Sequence, residues 1–544
     1  MVYDLAIVGS GMGGSLLALA ARKLGLSVVL IERGKHPRFA IGESTSPLMN
    51  LLLEELAHNY DLPQLLPLTQ WGSWKQHYPN LGVGKKRGFS YYAEKAGQPF
   101  GYCPDRTDQL LVAASPADPC ADTHWLRADV DHWLKDEAVA LGADYLEQAS
   151  VSSATVQDGI WLLTLTSQPE PITARFLVDA SGPHGFLHRR NGWDDVGFSG
   201  YPETCALYSH FTGVKHFAEM PPPPPSLSGS AGTGEPENDS DETLPGTSVP
   251  PQADKTGAGG ASVPYPPDWA ALHHVFEGGW MWVLRYDDER VSAGISVEKW
   301  LSDELQLKDK EAGWKRFLQR FPSIGDQFAD AVAIEPWVYA EKLAFRTERA
   351  AGVENGAPWA LLPSAAGFID PFYSTGMTLT LIGVGRLARA LEAGVPDDEA
   401  LRTYEALTFE DLDWTAEFVA CHFAYFRDFE RFAALTMYYF AAASYSEMAR
   451  RLGVPAPRFL AGDDPLFRAG IARCRRDKTD SHQRFATRIA ADIAHKNVAG
   501  LADGTKKNWY GVDLEDVVRG AEKLGFTPEQ MQQLLAEAAW ARCE

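Results

Sequence analysis

Tyr3-Asp4-Leu5-Ala6-Ile7-Val8-Gly9-Ser10-Gly11-Met12-Gly13-Gly14 is the stretch that decides the fold. Residues 3–8 are a short, β-rich apolar run. After the glycines comes an Ala- and Leu-rich stretch, Ser15 to Leu24, of helical character. A second apolar run, Ser27 to Ile31, ends at Glu32. Strand, glycine turn, helix, strand is a βαβ unit. Gly9, Gly11 and Gly14 satisfy G-x-G-x-x-G. The first glycine permits the tight turn, the second lets backbone approach a pyrophosphate, and the third lets helix and strand pack closely. Met12 and Gly13 complete the turn. The helix N-terminus adds N–H donors and the positive end of its dipole. Glu32 stands where a carboxylate accepts hydrogen bonds from ribose hydroxyls, with Arg33 beside it. The expectation is an α/β fold built on a Rossmann-like dinucleotide-binding domain; the plainer alternative is a structural glycine turn.

The chain has 544 residues, enough for three or four core-sized units or one large enzyme domain with additions. Its formal net charge is −22. That argues against bulk nucleic-acid binding, which requires positive charge on the protein, and against docking on anionic membranes. Six scattered cysteines include no C-x-x-C pair, and no His/Cys/Asp cluster has metal-ligand spacing, so no metal is expected. So few cysteines fit a reducing cytoplasm. No 18-residue apolar run predicts a transmembrane helix, and the N-terminus reads as structure, not as a signal peptide.

Farther along, residues 70–115 alternate aromatic and polar residues and read as strands of a mixed sheet. Residues 125–142 read as a helix, and 160–180 as two strands ending in Asp179-Ala180-Ser181-Gly182. Residues 221–267 open with five prolines and are more than half Pro, Gly and Ser. Such a stretch buries too little to offset chain entropy and is expected to be a disordered insertion. A tolerated surface loop and a polyproline ligand for a partner are the two readings of it. Beyond residue 400 the pattern is helical; Phe418, Tyr425, Phe429 and Phe432 share one helix face by spacing, as core packing or as the wall of an aromatic cavity. These features suggest a core over 1–400, interrupted at 221–267, and a helical part over 401–544.

Five motifs occur in order: Gly9 to Gly14; Gly42-Glu43-Ser44-Thr45-Ser46-Pro47; Val178-Asp179-Ala180-Ser181-Gly182; Gly279-Trp280-Met281-Trp282-Val283-Leu284; and Gly367-Phe368-Ile369-Asp370-Pro371-Phe372-Tyr373-Ser374-Thr375-Gly376. Together they resemble the flavin-dependent halogenases, whose scaffold is shared with flavin monooxygenases of the aromatic-hydroxylase type. The W-x-W pair and the F-I-D-P stretch are its specific signals. The tryptophan motif departs from the family pattern, which usually ends in Ile-Pro; here it runs Val283-Leu284-Arg285, without the proline.

The resemblance implies FAD, used as FADH2 supplied by a separate flavin reductase, with O2 and chloride or bromide as co-substrates. It implies that hypohalous acid forms at the flavin and halogenates an electron-rich aromatic beside a lysine. On the flavin side it points to Ser44, Arg127, Asp179, Asp370 and Gly376, and for the halide to the backbone of Thr375 and Gly376. Trp280 and Trp282 alternate on a strand-like run, so both face one side; in the family such a pair obstructs substrate approach to the flavin. The lysine is sought in Gly84-Lys85-Lys86-Arg87-Gly88-Phe89-Ser90. Similarity to the G-x-K-x-G-F-S of phenol- and pyrrole-type members selects Lys86, with Lys85 as runner-up; a solvated basic hairpin is the alternative. Burial lowers a lysine's pKa and makes both ammonium and amine accessible. Tyr373 stands where tryptophan-halogenating members carry a glutamate, which argues against free tryptophan. His273 and His274 precede the tryptophan motif, and Tyr373 and His274 are taken as weak pocket candidates. The substrate is expected to be a small aromatic, free or tethered to a carrier protein; the −22 charge favours a free one. Two other readings remain: an NAD(P)H-dependent FAD aromatic hydroxylase, and a non-catalytic flavoprotein recruiting a partner through its proline-rich loop.

Overall fold

The parallel strands Val2–Val8, Val28–Ile31 and Ile172–Asp179 carry the dinucleotide end of the molecule. In the computed structural model, which describes residues 1–183, 185–220, 263–476 and 480–537, they belong to an eight-stranded sheet. Val2–Val8 lies between the other two, pairing Val8 with Ile31 on one side and with Asp179 on the other. Strands buried on both faces read as continuous apolar runs, which is why these segments carry little alternation. The helix Met12–Lys23 begins directly after the glycine turn and packs against Thr375–Leu391. The antiparallel strand Ile160–Leu165 extends the sheet as expected from its pattern, and Val151–Gln157, which carried no such expectation, pairs with it.

A second, nine-stranded sheet runs through Thr204–Thr212, Val291–Glu298, Gly279–Arg285, Ala271–Phe276, Gly88–Ala93 and Gln109–Ala113. Its alternation is sharp. Trp280, Trp282 and Leu284 join the large core beneath the C-terminal helices, whereas Met281 and Val283 join the core on the opposite face. A separate short ribbon pairs Val83–Lys86 with Asp122–Trp125. Residues 70–115 are not strand throughout: Trp71–His77 is helical, because Trp74 buries its ring edge-on against Trp125 at 5.8 Å.

The helix expected over 125–142 spans Arg127–Ala140. Residues 403–450 do not form one helix. Asp398–Phe423 and Phe429–Arg451 are separated by a turn, and Asp428 caps the second helix by accepting from the Arg431 N–H. Tyr425 therefore lies in the turn, off the common face its spacing suggests. The rings nevertheless converge: Phe426 is 5.8 Å from Phe432 and 4.8 Å from Phe423. The region after 401 is not all helix. Trp509–Tyr510 adds a parallel strand beside Gln109–Ala113. Of the Pro/Gly/Ser-rich stretch, 221–262 lies outside the described residues. Within 263–267, Tyr265 is buried and donates its hydroxyl to the Phe89 carbonyl at 2.7 Å. No helix among the described residues is long and apolar enough to cross a membrane.

Candidate active site

The glycine turn has no room for side chains. A Cβ on Gly9, whose φ is +106°, would lie 2.5 Å from the Ala180 carbonyl oxygen, and one on Gly14 would lie 2.0 Å from that of Gly9. Gly11, Met12 and Gly13 consequently expose bare backbone to a cleft of about 590 Å³, which Arg33, Ser44 and Arg127 also line. Glu32 is buried and, unlike its neighbours Arg33 and Arg38, is not among the residues lining the cleft. Its Oε1 accepts from the Gly34 N–H at 2.8 Å and its Oε2 from the Ser10 N–H at 3.1 Å. Burial raises its carboxyl, but these N–H groups and Arg38 outweigh that and hold it below the usual carboxylate range. Arg127 is fixed by a bidentate pair with Asp131 and by the Ile41 and Gly42 carbonyls at 3.0 and 2.9 Å. Asp179 does not line the cleft. It is fully buried and accepts from Ser181 Oγ and the Leu187 N–H, so it shapes the turn after its strand.

The same cleft extends to Trp280, Trp282, Asp370, Ser374, Thr375 and Gly376. Trp280 donates from Nε1 to Asp370 Oδ1 at 3.1 Å, and Ser296 donates to Oδ2 at 2.5 Å. Burial pushes the Asp370 carboxyl up to about 7, against those hydrogen bonds. Tyr373 and Ser374 both have left-handed backbone, with φ of +64° and +57°. That is costly for non-glycine residues and persists where surrounding structure fixes it. Here the Tyr373 hydroxyl contacts His422 Nε2 at 2.7 Å and donates to Thr436 at 3.2 Å, while its carbonyl accepts from Tyr439 at 3.0 Å. The kink delivers the first turn of the helix Thr375–Leu391 to the cleft wall. Tyr373 itself is buried and lines neither cavity of this site.

Strand parity separates the two histidines. His273 pairs with Trp282 and shares its face; it lines the cleft and lies 5.3 Å from the Trp280 ring. His274 points to the other face, between Glu94 Oε1 at 2.8 Å and Gln327 Oε1 at 2.9 Å, and lines no cavity of the site. The pocket assignment of His274 therefore does not hold, because a period of two puts neighbouring residues on opposite faces.

Lys85 and Lys86 divide in the same way. Lys85 pairs with Asp118 at 2.6 Å and lies 3.4 Å from the centre of the Trp269 ring. Lys86 is fully buried, donates to the Thr45 carbonyl and lies 3.9 Å from the Phe89 ring centre. A Cβ on Gly84 would stand 2.2 Å from the Arg285 carbonyl oxygen, so the ribbon presses directly on the tryptophan strand. Burial brings Lys86 down to about 7, opposed by the charge of Asp122, its partner across the ribbon. Lys86 in turn helps burial hold His124 and His273 down to about 3, so both imidazoles are neutral at pH 7. A smaller cavity of about 190 Å³ opens on this side, lined by Asn50, Phe89, Asp122, Tyr439, Phe440 and Tyr510 among others. Thr45 lies in the segment between Ser44, which lines the large cleft, and Pro47, which lines the small cavity.

The elongated cleft, with bare glycine backbone at one end and a tryptophan wall at the other, fits a flavin dinucleotide. Sequence reading missed Arg38, Glu43, Asn50 and Asp122. Glu43 lay inside a quoted motif; it is buried at the cleft and accepts from His210, Tyr286 and Ser292 at 2.6–2.8 Å. Asn50 and Asp122 carry no local signal, since only the tertiary fold brings them together.

Residues 7–61 match the family model of the NAD(P)-binding Rossmann-like domain, and residues 273–432 match that of tryptophan halogenase. The monodechloroaminopyrrolnitrin halogenase of Pseudomonas fluorescens is 29% identical over 438 residues, 78% of this chain and 69% of the relative. The tetracycline 7-halogenase of Kitasatospora aureofaciens is 26% identical over 77% of this chain and 69% of its own. Among solved structures, halogenase PltM in complex with phloroglucinol and FAD superposes with a TM-score of 0.76 at 22% identity, over 93% of this chain and 99% of that one. The G-x-G-x-x-G turn, the tryptophan pair and the kinked Asp370–Gly376 loop around one cleft, taken with these relatives, mark the chain as similar to the enzymes of the flavin-dependent halogenase family.

Proposed function

We propose that this chain halogenates a small electron-rich aromatic, of phenol or pyrrole type, held in the smaller cavity beside Lys86. Bound in the larger cleft as FADH2 supplied by a separate reductase, FAD would furnish hypohalous acid from O2 and chloride or bromide. The observation that carries the reading is Lys86, buried with its ammonium hydrogen-bonded to the segment that separates the two cavities.

On this reading Gly11, Met12, Gly13, Arg33, Ser44 and Arg127 hold the dinucleotide, and Thr375 and Gly376 present backbone N–H groups to the halide. Trp280 and Trp282 wall the cleft, so the aromatic substrate does not reach the flavin. Lys86 donates a hydrogen bond to the oxygen of hypohalous acid and orients its halogen toward the ring. Tyr373 supplies packing and hydrogen bonds where a carboxylate would be needed for free tryptophan. The brominase of Pseudoalteromonas luteoviolacea, 23% identical, acts on a pyrrole tethered to a carrier protein. The net charge of −22 favours a free ring for this chain, because carrier proteins are usually acidic.

The test combines the protein with FAD, NADH, a flavin reductase, NaCl or NaBr and a panel of phenols, pyrroles and indoles, read by mass spectrometry. A halogen isotope pattern on a phenol or pyrrole, absent with Lys86→Met, is expected. Addition of one oxygen without halogen, and without need of the reductase, overturns the reading in favour of an aromatic hydroxylase.

A further inference from the structure

Two acceptor atoms beside Lys86 have nothing to accept from. Asp122 lies directly across the ribbon from Lys86 and is 5% exposed. Its Oδ1 accepts from Asn50 Nδ2 at 2.7 Å, while Oδ2 is buried without a hydrogen-bond partner. That contact commits the Asn50 amide to donating toward the carboxylate, and Asn50 Oδ1 is left buried and unpartnered too. Buried polar atoms are paired in the great majority of cases, and an orphan of this kind calls for an explanation. Lys86 does not provide it: its ammonium donates to the Thr45 carbonyl and makes no hydrogen bond to Asp122 Oδ2. Both Asp122 and Asn50 line the cavity of about 190 Å³, whose other walls include Phe89, Tyr439 and Phe440. Glu54, Glu447 and Arg451 also line this cavity, so its ring-lined wall beside the unmet acceptors, and not the whole cavity, is complementary to a flat apolar molecule carrying one hydrogen-bond donor.

We propose that Asp122 accepts the hydroxyl or ring N–H of the aromatic substrate, fixing which ring carbon faces Lys86 and taking up that proton as the ring is halogenated. The inference rests on the halogenase reading and names the substrate class more closely: a neutral ring with a hydroxyl or N–H directly on the π system. For a phenol the step balances as follows. The ring's π electrons form the carbon–halogen bond as the oxygen–halogen bond of hypohalous acid breaks. The departing oxygen takes a proton from the Lys86 ammonium and leaves as water. The phenol proton passes to Asp122, giving a neutral dienone. The proton on the halogenated carbon is then lost to the Lys86 amine, and Asp122 returns its proton to the ring oxygen, so both groups end as they began. Burial raises the Asp122 carboxyl to about 7, which brings its basicity nearer to a phenol's than an exposed carboxylate's would be.

The test compares a phenol with its O-methyl ether, and a pyrrole with its N-methyl analogue, on the flavin-reconstituted wild type and on Asp122→Asn. Product formation gives kcat/KM, calorimetry gives binding of each ring without turnover, and a hypohalite scavenger in parallel wild-type reactions reports the oxidant. The wild type is expected to prefer the donor-bearing ring by on the order of 100-fold in kcat/KM and to bind it more tightly. In Asp122→Asn that preference should fall below about tenfold, mainly through the donor-bearing ring. An unshifted preference, with hypohalite detected in the wild type, overturns the role of Asp122 and leaves the halogenase reading standing. Absence of hypohalite from the wild type overturns that reading and this inference with it. If Asp122→Asn forms no product, the calorimetric comparison decides: equal loss of affinity for both rings overturns the proposal.

Discussion

Raising the pH from 7 to 9 should uncouple this enzyme. Lys86 has its ordinary pKa of 10.5 brought down to about 7 by complete burial. In its proposed role it donates a hydrogen bond to hypohalous acid, so the ammonium is the competent form. With a pKa near 7, about half of the molecules carry it at pH 7 and about 1% at pH 9. Because the pKa is lowered, the competent form is present on the acid side and lost as pH rises through 7. Asp122, whose carboxylate the same step uses, about doubles its charged fraction over that interval, so the halogenated product per flavin oxidised should fall about 25-fold between pH 7 and pH 9. A lysine near 10.5 would lose only about 3% of its ammonium over that interval. The assay follows oxygen consumption and halogenated product in the same vessel, with reductase in excess, so that flavin turnover and ring halogenation are separated. A product-to-oxygen ratio that stays flat from pH 7 to pH 9 would refute the reasoning: either Lys86 is not the donor, or its surroundings do not disfavour its charge.

Gly14→Ala should impair flavin binding and stability together. Its Cβ would lie 2.0 Å from the Gly9 carbonyl oxygen, so helix and strand must part by about 1 Å, at a cost of about 3 kcal/mol. A fluorescence titration should show FAD affinity reduced at least tenfold alongside a lowered Tm; unchanged affinity would mean that the turn does not contact the dinucleotide. His274→Phe strands the buried Glu94 carboxylate and should destabilise the fold by about 2 kcal/mol, read as a lower Tm. Its KM for the aromatic substrate should stay at the wild-type value, and a raised KM would put His274 in the substrate path after all.

Much of the dinucleotide end was legible in the sequence, because its determinants are local. A tight turn needing three glycines and a strand ending in an acid sit within some thirty residues, and each constraint leaves its own letter. The histidine assignment shows what was legible but overlooked. Glu277-Gly278 forms the hairpin turn between Phe276 and Gly279, so counting back from Trp282 reaches His273 and not His274. The helical spacing of Phe418, Tyr425, Phe429 and Phe432 misled, because periodicity is blind to a cap at Asp428 that restarts the helix. The Asp122–Asn50 pair was out of reach. Its two members are 72 residues apart, and nothing local distinguishes an aspartate facing a buried lysine from one facing water.

The strand Trp509–Tyr510 lies beside Gln109–Ala113, some four hundred residues earlier, and Tyr510 closes one wall of the small cavity. The small cavity is thus assembled from segments that lie far apart in the sequence. During synthesis the glycine turn and its neighbouring strands can emerge and pack long before that wall exists. A polypeptide cut short before residue 509 would keep the dinucleotide cleft without a closed place for an aromatic ring. The segment around residue 509 therefore separates two capacities of the fold: a dinucleotide-shaped cleft that does without it, and a closed small cavity that does not.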